Sequence, residues 1–209
     1  MELSSVRVRG AFKEATDFLV EIVDSVGDDE WDRPALGVWN VAQLAVHASR
    51  GASTIVTYAA DTAELTLDSA AGYYSTAMAL DDINEAVAAR AVEQTAAVEG
   101  SVADYVRAAV NEATEVLSRT PADQVLASPV GGIRLIDYLP TRIVEVVVHG
   151  LDLADALGRE VEVPATAMAI TLETLGDLAV VRPDMVDPAR IVRAITGRGA
   201  LPESANLLG

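Results

Sequence analysis

The chain has 209 residues, enough for one domain with a substantial core, or one domain with an appendage. Thirty-two acidic residues against fifteen basic ones give a net charge of −17, which repels polyanions and anionic membrane surfaces at long range and sets nucleic-acid binding aside. There is no cysteine, so the chain has neither a disulfide framework nor a thiolate of its own, and any thiol chemistry would need a thiol brought from outside.

Charges break every apolar stretch short of the roughly 20 residues of a membrane span. The charged opening MELSSVRVRGAFKEATDF also lacks the apolar core of a signal peptide, so a soluble, cytoplasmic protein is expected. Alanine and valine dominate while aromatics make up only 4%, which suits closely packed helices. The expected class is all-α.

Val6 to Val26 places Val8, Ala11, Phe12, Ala15, Phe18, Leu19 and Ile22 on one face, a first amphipathic helix ended by Gly27. Trp31 and Trp39 bracket the polar loop that follows, either pinning it to the core or lining a pocket. Asn40 reads as an N-cap with Gln43 completing a capping box, and Trp39 and Leu44 are placed to form the accompanying staple. The second helix then runs to about Ala60, with His47 on the face shared by Gln43, Arg50 and Thr54. Residues 61–80 lose any long period at Gly72, Tyr73 and Tyr74 and read as a loop or insert, with the tyrosines packed at the surface or facing a ligand. Asp81 to Val98 is helical again. After Gly100, SVAD starts a helix through Arg119, and 82–119 reads as one bent helix or two.

The linker PADQVLASPVGGIR leads to the stretch on which the chain is organised, DYLPTRIVEVVVHGLDLADALG, with Asp137 as a cap and Pro140 in the first turn. The run VEVVV alone would also suit a buried strand, but the apolar pattern continues to Leu157 and stops at Gly158, as a helix does. Arg142, Glu145, His149 and Asp152 then form a polar stripe on an otherwise apolar element. Beyond it come an extended link, a helix over Ala165 to Val181, and another opened by Asp187 and Pro188 and closed by Gly197. The resulting division is a four-helix bundle over 1–158 and a mostly helical C-terminal extension over 159–209 packed on it.

A carboxylate and an imidazole four residues apart stand about 6 Å apart along a helix, which is chelate spacing. The chain has two histidines in all, His47 and His149. Met at one site with Glu145, they would leave one position open in a tetrahedral zinc site, as catalytic zinc requires. The competing reading is a local Glu145–His149 hydrogen-bonded pair with His47 an unrelated core residue. Asp152 is placed to accept the second ring proton of His149, and Arg142 to hold Glu145 or meet an anionic substrate.

Trp39 with His47 in WNVAQLAVH, followed far downstream by Glu145, His149 and Asp152 in EVVVHGLD, resembles the N-terminal metal-binding domain of mycothiol-dependent maleylpyruvate isomerases, within the wider DinB-like group of four-helix bundles. The resemblance covers about Val6 to Leu157. It implies a divalent metal, usually zinc, on His47, Glu145 and His149, with mycothiol as thiol cofactor or co-substrate. It also implies isomerase or S-transferase chemistry in which the activated thiolate attacks an electron-poor carbon. A non-catalytic metal- or ligand-binding bundle is the alternative. Gln43, Arg50 and Trp39 join Arg142 and Asp152 as candidates around the site. Expected partners are a small thiol and an electrophile, with a homodimer allowed and neither nucleic acid nor membrane. The extension departs from the isomerase, which carries a larger α/β domain there, and its ending is similar to that of actinobacterial relatives. Arg193 and Arg198 are therefore candidates only for holding an anion.

Overall fold

A computed structural model describes residues 4–80, 83–202 and 205–208, and the side chains of 83–88 lie outside that description. α1 (Ser5–Asp24) starts at Ser4, whose hydroxyl accepts the amide of Arg7. Its buried face carries the seven residues that the spacing predicts. α2 (Val41–Ala59) opens with the expected capping box. The Gln43 amide donates to Asn40 Oδ1 at 2.9 Å and the Asn40 amide donates to Gln43 Oε1 at 3.0 Å. That exchange fixes where α2 begins, and so the direction in which His47 points two turns later.

Residues 61–80 are more regular than a loop. They form a strand, β1 (Leu65–Leu67), and a helix, α3 (Ala70–Ala77), whose first turn is capped by Ser69 Oγ. The linker before the organising helix is likewise a hairpin of β2 (Val125–Ser128) and β3 (Gly131–Arg134), and β1 joins it in parallel to give the order β1-β3-β2. Strands of three and four residues are too short to show a period, so pairing across the chain decides them. Gly132 permits that pairing, since a Cβ there would lie 2.0 Å from the Glu64 carbonyl oxygen.

α4 (Ile83–Ala96) and α5 (Val102–Arg119) are two helices parted at Gly100, whose φ is 89°. Asp81, the expected start of the first, lies outside the described residues. α6 (Leu135–Leu157) begins earlier than expected, and Asp137 is not its cap. The amides of Leu135 and Ile136 donate instead to the carbonyls of Gln124 and Ala122, while Asp137 pairs with Arg134 at 2.5 Å. Pro140 therefore sits beyond the first turn, inside the helix. Gly158, left-handed at φ 66°, ends it.

α1, α2, α5 and α6 form the bundle, with α6 packed on α1 and α2 and with α5 against the same two helices. Tyr138, Leu139, Ile143, Val146, Val147 and Leu153 of α6 are fully buried there. A Cβ on Gly51 would meet Val146 Cγ2 at 2.5 Å, so the absence of a side chain lets α2 lie directly on α6 one turn past His47. α7 (Ala165–Val181) packs on α1, α3 and α6, whereas α8 (Pro188–Ile195) rests on α7 and buries none of its residues. Among the described residues, no helix is long and apolar enough to cross a membrane.

Candidate metal centre

The close approach at Gly51 brings the two histidines together. Their ring centroids are 4.7 Å apart with the planes at 75°, and His47, Glu145 and His149 each offer a ligand atom within 4.8 Å of the others. Two helices distant in sequence thus contribute to one cluster, which spacing along α6 alone does not establish.

On the α6 side Glu145 and His149 each have partners. His149 Nδ1 lies 3.1 Å from Asp152 Oδ2, the contact expected for the second ring nitrogen of a metal-bound histidine. Its Nε2 faces Glu145 Oε2 at 3.6 Å. Two ligands about 2.1 Å from one ion at a tetrahedral angle stand roughly 3.4 Å apart, so this separation fits a shared ion. The other carboxylate oxygen is engaged: the Tyr74 hydroxyl is 3.0 Å from Glu145 Oε1 and 2.9 Å from the Thr141 carbonyl oxygen. Tyr74 and its neighbour Tyr73 are buried, not packed at the surface.

The α2 side is incomplete. His47 is 9% exposed, its ring lies 4.6 Å from that of Trp39, and its Nδ1 is sealed from solvent with no hydrogen-bond partner. Buried ring nitrogens are ordinarily satisfied, so this orphan marks a place where the protein's own groups leave the chemistry unfinished. Two imidazoles and a carboxylate are a donor set suited to zinc, and the geometry and the orphan both fit it.

The charges follow from these contacts. Burial, helped by the nearby His149, lowers the His47 pKa to about 4, so this ring is neutral near pH 7. Burial also opposes a charge on His149, but the hydrogen bond to Asp152 and the facing Glu145 carboxylate outweigh it and raise the pKa to about 9. For Glu145 burial again opposes the charge, while the bond to His149 and the field of Arg142 win and lower the pKa to about 2. In the metal-free protein the site therefore holds an imidazolium and a carboxylate on α6 beside a neutral imidazole on α2.

Arg142 is buried against aromatic faces, its guanidinium carbon 4.8 Å from the Tyr138 ring centroid and 5.7 Å from that of Tyr73, with Nε donating to Thr141 Oγ1 at 2.9 Å. It does not clamp Glu145, and Asp152 serves His149 instead of Arg142. Gln43 is spent on the α2 cap, while Arg50 donates to Gln94 Oε1 at 3.3 Å. Trp39 is part of the buried core and its ring lies against that of His47. Arg193 and Arg198 bond backbone carbonyls of the α8 turn. Tyr74, for which the sequence left surface packing and facing a ligand both open, is buried with its hydroxyl on Glu145, and the helix that carries it is too short to show a period.

The family model for the mycothiol maleylpyruvate isomerase N-terminal domain matches residues 12–154, a span that holds His47, Glu145, His149, Asp152 and Tyr74. Neither the curated proteins nor the solved structures yield a match.

Proposed function

The chain belongs to the mycothiol maleylpyruvate isomerase N-terminal domain family, and from that premise we propose a metal- and mycothiol-dependent enzyme that acts on a small electrophile as an isomerase or S-transferase. The observation that carries the proposal is the convergence of His47 from α2 on Glu145 and His149 from α6, with His47 Nδ1 unpartnered. These three residues would hold one divalent ion, zinc by the character of the donors, with a coordination position left open. When bound, such an ion supplies a Lewis acid that favours the deprotonated form of a thiol near neutral pH.

The chain's own residues prepare that position. Asp152 holds the proton of His149 on Nδ1 and so turns Nε2 toward Glu145. Tyr74 engages one oxygen of Glu145 and leaves the other facing His149 Nε2. Trp39 covers the His47 ring, and the apolar residues of α2 and α6 keep bulk water away. The absence of cysteine accords with a thiol that arrives from outside, which the family points to as mycothiol.

The test is reconstitution with zinc, followed by turnover of a maleyl substrate and by loss of free thiol in the presence of an electrophile. The expected result is stoichiometric zinc and a reaction that requires both zinc and mycothiol. Stoichiometric zinc with no thiol-dependent reaction would favour a non-catalytic metal-binding bundle instead.

A further inference from the structure

α7 is apolar on both of its faces. Ala167, Ile170, Leu178 and Ala179 are buried, yet Leu172 and Val180 stand 63% and 68% exposed on the opposite side, with Gly176 between them. A helix that is apolar all round is ordinarily covered all round. α8 shows the same excess: Ile191 and Ala194 are half-buried, but Val192 and Ile195 on the same apolar face are exposed, Ile195 at 78%.

The two ends of α7 carry opposite charge. Residues 188–201, which follow it, hold three arginines and no carboxylate in a chain of net charge −17. Among the described residues Arg190, Arg193 and Arg198 meet no carboxylate, and the last two bond backbone carbonyls. At the entrance to α7, Glu160 and Glu162 are exposed and form no ion pair among the described residues, since Arg159 beside them is taken by Glu30. An open cleft of about 490 Å³ lies along this link, lined by the buried Phe18 and Ile22 and by the exposed Glu21, Glu160, Val161 and Glu162. Apolar side chains among carboxylates are the complement of α8, whose apolar face is bordered by arginines. Within one chain α8 rests on α7, and none of its residues lines the cleft.

We propose that two copies of the chain pair about a twofold axis through the outer face of α7. The two α7 helices run antiparallel across Leu172, Gly176 and Val180. Each copy then lays Val192 and Ile195 of α8 against the cleft of the other and sets Arg190 and Arg193 against Glu160 and Glu162. Antiparallel pairing brings the basic exit of each α7, about 25 Å from its entrance, to the acidic entrance of its partner, and the symmetry repeats the match at both ends. Parallel pairing would set like charges together. A Cβ on Gly176 would meet nothing within 4 Å inside one chain, so no contact of that chain accounts for a glycine in mid-helix. An anionic membrane, the other surface a basic amphipathic helix seeks, is repelled by the net charge of −17. The interface uses no residue of the triad and stands apart from the chemistry proposed there.

Sedimentation equilibrium of the full chain at micromolar concentrations tests this. The expected result is a reversible dimer that weakens as salt rises. Arg190→Glu with Arg193→Glu should weaken dimerisation about tenfold or more, and adding Glu160→Arg with Glu162→Arg should recover most of the loss. Leu172→Glu should leave a monomer with an unchanged helical circular dichroism signal. Should it lose that signal, Val180→Glu reads the same face. A chain that is monomeric at every concentration would overturn the proposal. A dimer indifferent to the arginine reversal, or one not recovered by the exchanged charges, would also overturn it. Monomers that bind phosphatidylglycerol vesicles through Arg190 and Arg193 would overturn it in favour of a membrane-docking face.

Discussion

The α6 half of the site is complete without a metal, and the α2 half is not. Glu145 and His149 satisfy each other, with Tyr74 and Asp152 behind them, and a proton on His149 supplies the positive charge. His47 has been driven neutral by burial, carries an orphaned nitrogen and leans on Trp39. A Glu and a His four residues apart are therefore weak evidence of a metal, because an ion pair explains them. The single histidine on the other helix carries the argument.

The largest effect is expected from removing a ligand. Glu145→Ala, His149→Ala and His47→Ala should each abolish zinc retention through gel filtration and leave the helical circular dichroism signal in place, since the bundle core lies on other residues. Zinc stoichiometry that survived His47→Ala alone would break the comparison at its centre, reducing the site to a pair on one helix.

The two halves should also respond to pH in opposite ways. Held at about 9 in the folded chain against an ordinary 6.5, His149 contributes stability that is full below pH 6.5 and is lost as pH rises through 9. His47, held at about 4, contributes in the other direction: below pH 6.5 the unfolded chain takes up a proton that the folded chain refuses, and stability falls toward pH 4. The metal-free melting temperature should thus peak near pH 6.5, and His47→Asn should flatten the acid side alone. Zinc must displace the proton on His149 and none from His47. Apparent zinc affinity should then rise about tenfold per pH unit from pH 7 toward 9 and level off above it, with about one proton released per ion near pH 7 in calorimetry across buffers of different ionisation enthalpy. Two protons released would show that both halves are charged.

A smaller effect should come from the contact that joins the halves. Gly51→Ala places a methyl group against Val146 Cγ2 and near the Arg142 carbonyl oxygen, at 2.5 and 3.3 Å before relaxation. Valine is stiff, so α2 and α6 must part slightly, at about 1–3 kcal/mol of stability by chemical denaturation. Zinc affinity should fall with it. Gly10→Ala, where a Cβ meets nothing within 4 Å, is the control.

The sequence made the α6 half legible and left the join obscure. Arg142, Glu145, His149 and Asp152 fall on one face by helical period alone, and Gly158 marks the end of that helix wherever it begins. The capping box at Asn40 and Gln43 was equally local. What brings His47 to Glu145 is the packing of α2 on α6 at Gly51, and a glycine in a helix does not announce what it faces. The place of Tyr74 stayed open between surface and site for a related reason: α3 is eight residues long, and its placement depends on α6 and α7, which no local pattern encodes.

Tyr74 supplies the smallest test. Its buried phenol is held well above its usual pKa, by burial first and the Glu145 charge next, so it stays a neutral donor whose one proton serves Glu145 Oε1 or the Thr141 carbonyl. Tyr74→Phe keeps the ring and its packing but frees Oε1, so the carboxylate can turn either oxygen toward His149. Groups that orient a ligand typically change metal affinity tenfold or more. The expected loss is about tenfold in zinc affinity, with a shifted visible spectrum of the cobalt-substituted protein and an unchanged helical signal. Asp152→Asn, which loosens His149 instead, should cost a similar factor and lower the His149 pKa as well. If Tyr74→Phe lowered the melting temperature while affinity and spectrum stayed put, α3 would be packing for the bundle and no part of the half of the site that α6 completes by itself.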